Sequence, residues 1–423
     1  MSELESPGKA ELSVLGDIYR FAWPCGIEAE VERFSEHRDE LTAEVTIRSS
    51  RPPRPGLLHS ARVNLMSTQT RTTLARTLRE RDEDLDWGGL LEGLCYLARE
   101  RYRTGDPAIN LLEHTPATLA RWLIEPFAER GRPTVLFADG GTGKSYVALA
   151  IAVAVASGAA IVGRPHGDPC PVLYLDWETD ADSVYERLAA IRRGNDVGPM
   201  APIYYRRLWA SLAESAANIR RDAAKLEVGF VIVDPLGNAR GGEPESAEVT
   251  LRMFNAARSI GVPWLGVDHV TKAAGNDSTR PFGSTYTHNS AGLTWSMDNA
   301  QDEGDHGFNV VLTNRKRNNG RLLPKMAYRI DIEDADDRPV AVQFRQIDVM
   351  AIPELAEKQG LKERILADLS RGGPANGYEV LADRLGVDHD ERNKLRARVS
   401  DLRRAGKVVE VDGLIVLAAR ASA

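Results

Sequence analysis

The chain of 423 residues carries 54 Lys and Arg against 61 Asp and Glu, a formal charge of −7, with 43% hydrophobic and 27% charged residues. This is globular composition, long enough for roughly two or three domains, and it excludes a protein coated overall in basic surface, so any nucleic-acid contact must come from local patches. Cys25, Cys95 and Cys170 lack metal-ligand spacing and read as structural thiols of a reducing compartment. The polar N-terminus has no apolar signal core and no run looks like a membrane span, so a cytoplasmic location without membrane contact is expected.

Residues 1–115 read as a small N-terminal α+β unit. Glu40 to Ile47 and Leu57 to Met66 alternate like two strands around the turn-forming 51–56, and Leu74, Leu78, Leu90, Leu91, Leu94 and Leu97 recur at helical spacing. Residues 116–352 alternate short apolar strands with helices, the pattern of an α/β fold with a largely parallel sheet. Its strands are expected at 134–137, 172–176, 203–205, 230–234 and 264–268, followed by an antiparallel extension at 308–313, 326–330 and 340–344. A polar helix or linker at 354–359 leads into the final unit, 353–423. There, helices at 361–369, 378–385 and 391–404 precede a hairpin turning at Asp412-Gly413. That order resembles a winged-helix domain.

The chemistry concentrates in the middle. An apolar strand, the bend Ala138-Asp139-Gly140-Gly141-Thr142-Gly143-Lys144-Ser145 and an alanine-rich helix form the strand-loop-helix context of a P-loop. Glycines let backbone N–H groups turn onto phosphate oxygens, and the helix N-terminus adds a positive dipole end. Lys144 would reach the β- and γ-phosphates of ATP, and the Ser145 hydroxyl would hold Mg²⁺. Ala138 stands where the motif usually has its first glycine, a mild departure provided the local φ is negative. Downstream, Phe230-Val-Ile-Val-Asp234 delivers an acid that can order the metal shell. In Val172-Leu-Tyr-Leu-Asp-Trp-Glu178 the second acid, Glu178, can orient and deprotonate an attacking water. Asp176 is its rival, and a helix-start role for 178–180 is the bland alternative.

Together these residues resemble the RecA-like ATPases, and more closely the RepA-type hexameric replicative helicases of plasmids and phages, over roughly 122–330. The likeness rests on the cradle, Leu-Tyr-Leu-Asp-Trp-Glu178, Val-Ile-Val-Asp-Pro-Leu followed by Gly241-Gly-Glu-Pro-Glu-Ser246, and Val267-Asp-His269 with Lys272. The resemblance implies a catalytic Glu178, a magnesium-ordering Asp234 and a γ-phosphate sensor at His269. The loop from Val270 to Gly283, with Lys272 and Arg280, would face single-stranded DNA. Within Asn314-Arg-Lys-Arg-Asn-Asn-Gly320, a cationic turn between strands, Lys316 and Arg317 would reach a neighbour's nucleotide in trans, with Arg315 as the alternative. That implies a homo-oligomer, with a hexamer as one form.

Arg392, Lys394, Arg396, Arg398, Arg403 and Arg404 make the last helix basic, so it could lie along DNA or pack on protein. The expected activity is a DNA helicase motor. A recombination or DNA-loading protein and an ATP-switched regulator remain open, and a primase or loader could dock on the N-terminal unit.

Overall fold

The computed structural model describes residues 5–52, 55–115, 121–270, 285–300, 305–336, 338–349, 352 and 361–418. Contacts divide the chain into two units. One holds Met1–Arg121 with Ala210–Val228 and Arg252–Val262; the other holds Trp122–Trp209, Gly229–Leu251 and Pro263–Ala423.

In the first unit, strands β1 (Glu11–Leu15), β2 (Ile18–Ala22), β3 (Ile27–His37), β4 (Glu40–Ser49) and β5 (Gly56–Asn64) form an antiparallel sheet in that order. In β4, Leu41, Ala43, Val45 and Ile47 are buried while Thr42, Glu44 and Thr46 are not, the alternation of a sheet with one face on a core. Helices α1 (Thr68–Arg79) and α2 (Trp87–Thr104) supply the other half of that core through Leu74, Leu78, Leu90, Leu91 and Leu94. Ser67 caps α1 and Asp86 caps α2, each side chain accepting a backbone N–H from the first turn. Sequence alternation marked only β4 and β5. β3 alternates as cleanly as β4 from Ile27 to Glu32, and only then does a bulge near Arg33, at φ 53°, interrupt its period. Burial pushes the Cys95 thiol up to about 11, as suits a structural cysteine.

The second unit begins with β6 (Trp122–Glu125), β7 (Ala128–Glu129) and β8 (Thr134–Ala138), then α3 (Lys144–Ser157), β9 (Arg164–Pro165), β10 (Val172–Asp176), α4 (Ala181–Gly194) and β11 (Ile203–Arg207). After α5 (Leu212–Lys225), a segment of the first unit, come β12 (Phe230–Asp234), α6 (Leu236–Ala239), α7 (Ala247–Ser259), which passes into the first unit from Arg252, then β13 (Trp264–His269), α8 (Thr285–Ser290) and β14 (Leu293–Ala300). The antiparallel strands β15 (Gly307–Arg317), β16 (Met326–Ala335) and β17 (Arg338–Ile347) follow. One sheet runs β11-β10-β12-β13-β8-β14-β15-β16-β17, parallel from β11 through β14 and antiparallel thereafter.

Every residue of α3 from Val147 to Ala156 is buried, which explains an apolar run too even to show a polar face. Phe308, Val310, Tyr328 and Val342 of the antiparallel strands share its core. The last of these strands meets α4: Asn195 donates to the Val342 carbonyl at 2.9 Å and accepts from the Phe344 N–H at 3.0 Å. Two expectations need correction. Strand β14 was not foreseen, although Leu293, Trp295 and Met297 alternate with Thr294 and Ser296 as a strand would. The cations 315–317 do not form a turn; pairing of Leu293 with Arg317 and Thr294 with Lys316 carries β15 through them.

At the C-terminal end, α9 (Leu361–Arg371), β18 (Ala375–Asn376), α10 (Gly377–Arg384), α11 (Arg392–Arg404), β19 (Val408–Val411) and β20 (Leu414–Leu417) enclose a separate cluster around Ile365, Leu381, Leu395 and Ile415. Asp412 and Gly413 both have positive φ, 53° and 79°, so the hairpin turns as its sequence predicts. The expected linker at 354–359 lies outside the described residues. Among the described residues no helix is long and apolar enough to cross a membrane.

Candidate nucleotide site

The parallel strands deliver the predicted residues to one end of the sheet. Register sets Asp176 beside Asp234 and His269 beside Ala138, so the ends of β8, β13, β12 and β10 stand side by side. Above them opens a cavity of about 280 Å³ lined by Gly141 to Tyr146, Glu178, Arg187, Asp234, Pro235, Val267, His269 and Phe308. Lys144, Ser145, Glu178, Asp234 and His269 therefore converge. Asp139 and Gly140 are exposed at the bend, where Asp139 contributes its carbonyl.

The bend is shaped for an anion. Gly141 and Gly143 have φ of 73° and 88°, a region that disfavours side chains, and a Cβ on Gly143 would stand 2.6 Å from the Phe308 ring. Gly143 is also the N-cap of α3 and offers no side chain to the first-turn N–H groups, which leaves them for a ligand. Ala138 is the last residue of β8 and has no positive φ, so its methyl group costs nothing there. The Lys144 ammonium is buried and donates to the carbonyls of Ala138, at 3.0 Å, and Asp139, at 2.5 Å. An ammonium has three N–H donors, so one remains for the cavity. Burial lowers the Lys144 pKa, opposed by Asp234, Asp139 and other nearby acids.

The acids divide their labour. Asp234 is buried and accepts from the Tyr174 hydroxyl at 2.5 Å, with a further hydrogen bond from Ser145. Burial raises its pKa, and these two hydrogen bonds partly offset the rise. Burial and the adjacent Asp234 push the Tyr174 hydroxyl well above its ordinary value, so it stays protonated and donates. Asp176, the rival base, is spent on structure: it accepts from the Glu178 and Thr179 N–H groups and from the Thr179 and Tyr205 hydroxyls. Those bonds close the turn that presents Glu178, whose exposed side chain lines the cavity. Asp180 caps α4 through Ser183, which leaves Glu178 clear of capping.

A metal would find a fitting partial shell here. Among the described residues no three His, Cys, Asp or Glu gather as a ligand set, so Ser145 and Asp234 would hold it together with phosphate and water oxygens.

Behind His269, Asp268 pairs with Arg240 at 2.5 Å, both side chains fully buried, and Arg240 also donates to Thr287 on α8. The stretch 271–284, including Lys272 and Arg280, lies outside the described residues. The cations of β15 are not in the cavity. Lys316 donates to the carbonyls of His288, Asn289 and Ala291 at 2.7–2.8 Å, closing the end of α8. Arg317 pairs with buried Glu129 at 3.2 Å and lies over the Trp122 ring, while Arg315 donates to Ser296. On α11 the cations are paired within their own unit, Arg392 with Glu379 and Asp383, Lys394 with Glu391, Arg398 with Asp401 and Arg403 with Glu410. Sequence reasoning missed Tyr174, Arg187 and Phe308. Tyr174 is the one with a signal, a hydroxyl in an otherwise aliphatic buried strand two residues before Asp176.

The AAA domain family matches residues 98–275, which takes in the cradle, both acids and His269 but stops short of β15. No curated protein matches the chain. Among solved structures it is similar to a KaiC-like protein of the hyperthermophilic archaeon Pyrococcus horikoshii OT3, at 17% identity and TM-score 0.36 over 53% of this chain and 93% of that one. It is also similar to the flagellar accessory protein FlaH of Methanocaldococcus jannaschii, at 10% identity and TM-score 0.34 over 51% of this chain and 90% of that one. The AAA domain match over the cradle, together with the cradle's place on a largely parallel sheet, supports a P-loop ATPase core. Such a core implies nucleotide binding with a metal ion.

Proposed function

We propose that the chain is an ATP-hydrolysing motor on single-stranded DNA, a replicative helicase of the phage or plasmid type that works as a ring of identical subunits. The observation that carries the nucleotide half is the convergence of Lys144, Ser145, Asp234, Glu178 and His269 on one cavity. Lys144 and the α3 N–H groups bind the β- and γ-phosphates, Ser145 and Asp234 hold Mg²⁺, and the ion offsets charge on the phosphates. Glu178 holds the attacking water and takes its proton, and His269 senses the γ-phosphate. Lys316 and Arg317 are proposed as the charges supplied to a neighbouring subunit, which requires them to exchange their present carbonyl and Glu129 partners on assembly.

The DNA half rests on the sequence resemblance and on 270–283. The winged-helix-like unit from 353 is proposed as a partner-binding module, because exposed ion pairs already occupy much of the basic helix. In this reading residues 1–115 form a third module that a primase or loader could use. The test is ATP hydrolysis with and without single-stranded DNA, with the mass of the assembly measured alongside. Stimulated turnover in an oligomer supports the motor; nucleotide-dependent assembly without unwinding favours a recombination or loading protein.

A further inference from the structure

From Val45 to Arg79 the sequence holds seven arginines and no aspartate or glutamate, in a chain of net charge −7. Folding places part of this run along one margin of the first unit. β5 is the last strand of its sheet, nine residues long, and among the described residues it has no neighbour beyond β4. Beside it runs α1, and between the two lies a groove of about 430 Å³ lined by His59, Arg62, Val63, Thr70, Thr73 and Thr77 among others.

Some of the arginines are neutralised in place: Arg51 pairs with Glu5 and Asp82, and Arg71 with Glu92. Arg62 is exposed and, among the described residues, donates only to the Thr42 hydroxyl, at 3.2 and 3.0 Å. Arg76, exposed on the flank of α1 three residues after Thr73, has no acidic partner among the described residues. The His59 Nε2 is covered and lacks a hydrogen-bond partner among the described residues. A long open edge beside a helix-walled groove is the geometry of strand addition, where main-chain bonds give affinity and side chains give selectivity. No Phe, Trp or Tyr lies between Phe34 and Trp87, so nucleobases would find no stacking platform here.

We propose that the groove between β5 and α1 receives an extended acidic segment of a partner protein, which adds a strand along β5 while its carboxylates meet Arg62 and Arg76. None of its lining residues belongs to the nucleotide site. The test titrates the full chain into a fluorescein-labelled peptide of alternating glutamate and valine and reads anisotropy. Saturable binding is expected, weakened about tenfold or more by the double variant Arg62→Glu/Arg76→Glu, whose melting curve verifies its fold. Two N-methylated peptides, one methylated on the valine amides and one on the glutamate amides, keep the charge, and the one whose methyl groups face β5 should lose binding. Absence of binding, or both N-methylated peptides binding as well as the parent, overturns the proposal. So does an oligodeoxythymidylate that binds more tightly and is lost with the same double variant, which would make this a nucleic-acid surface.

Discussion

Lys144 and Lys316 both rest their ammonium on backbone carbonyls, and burial lowers the pKa of each. Lys144 uses two of its donors and faces a cavity rimmed by uncapped N–H groups at the start of α3. Lys316 spends all three on the carbonyls that end α8. The first is thus poised to trade or add an anionic ligand within its own subunit, while the second is saturated and must break bonds before it can act elsewhere. A lysine's role follows from which end of a helix it meets and how many of its donors are left.

The sharpest way to break this contrast is to test the trans role. Should the cations of β15 serve a neighbour, Arg317→Ala lowers turnover of the assembled protein by about 10³–10⁵ with nucleotide affinity kept. Full turnover in that variant would confine Arg317 to holding Glu129. Next in size, Glu178→Gln is expected to reduce kcat by about 10²–10⁴ while nucleotide still binds. Loss of binding instead would make Glu178 a structural part of the turn that Asp176 closes. Arg240→Met, which strands the buried Asp268 carboxylate, should cost about 3–5 kcal/mol of stability in denaturant titration; a neutral result would mean the pair is dispensable behind His269.

Asp234 gives the smallest effect and one whose sign separates stability from function. Burial raises its pKa, so between the ordinary aspartate value and the raised one the folded chain binds more protons than the unfolded chain. Stability from this group is present at low pH and is lost as pH rises through the raised pKa. Asp234→Asn should therefore raise the melting temperature of the nucleotide-free chain above that window. Metal-dependent nucleotide affinity has the opposite slope, since it needs the carboxylate, and should fall as pH drops through the same window. A variant less stable than the parent at neutral pH would show that the bond from Tyr174 outweighs the burial cost.

Legibility in the sequence followed the range of the interactions. The cradle, α3 and the acid-tipped strands were readable because a P-loop is a local pattern, in which glycines, a lysine and two flanking apolar runs lie within a short stretch. The Asp412-Gly413 hairpin was readable for the same reason. What escaped was set by distant partners. Asp176 is held partly by Tyr205 and Tyr174 is tied to Asp234, each on a neighbouring strand, and Phe308 reaches Gly143 from a strand far along the chain. The cations 315–317 looked like a turn because charge usually marks one, yet the ladder with β14 carries the strand through them.

The most direct test is equilibrium binding of a fluorescent ATP analogue in the presence of Mg²⁺ to the parent chain and to Lys144→Ala. The account predicts saturable, magnesium-dependent binding that the substitution weakens by about a hundredfold, the scale of losing one charge-assisted contact to phosphate. Equal affinity in the two proteins, or none in the parent, would contradict it.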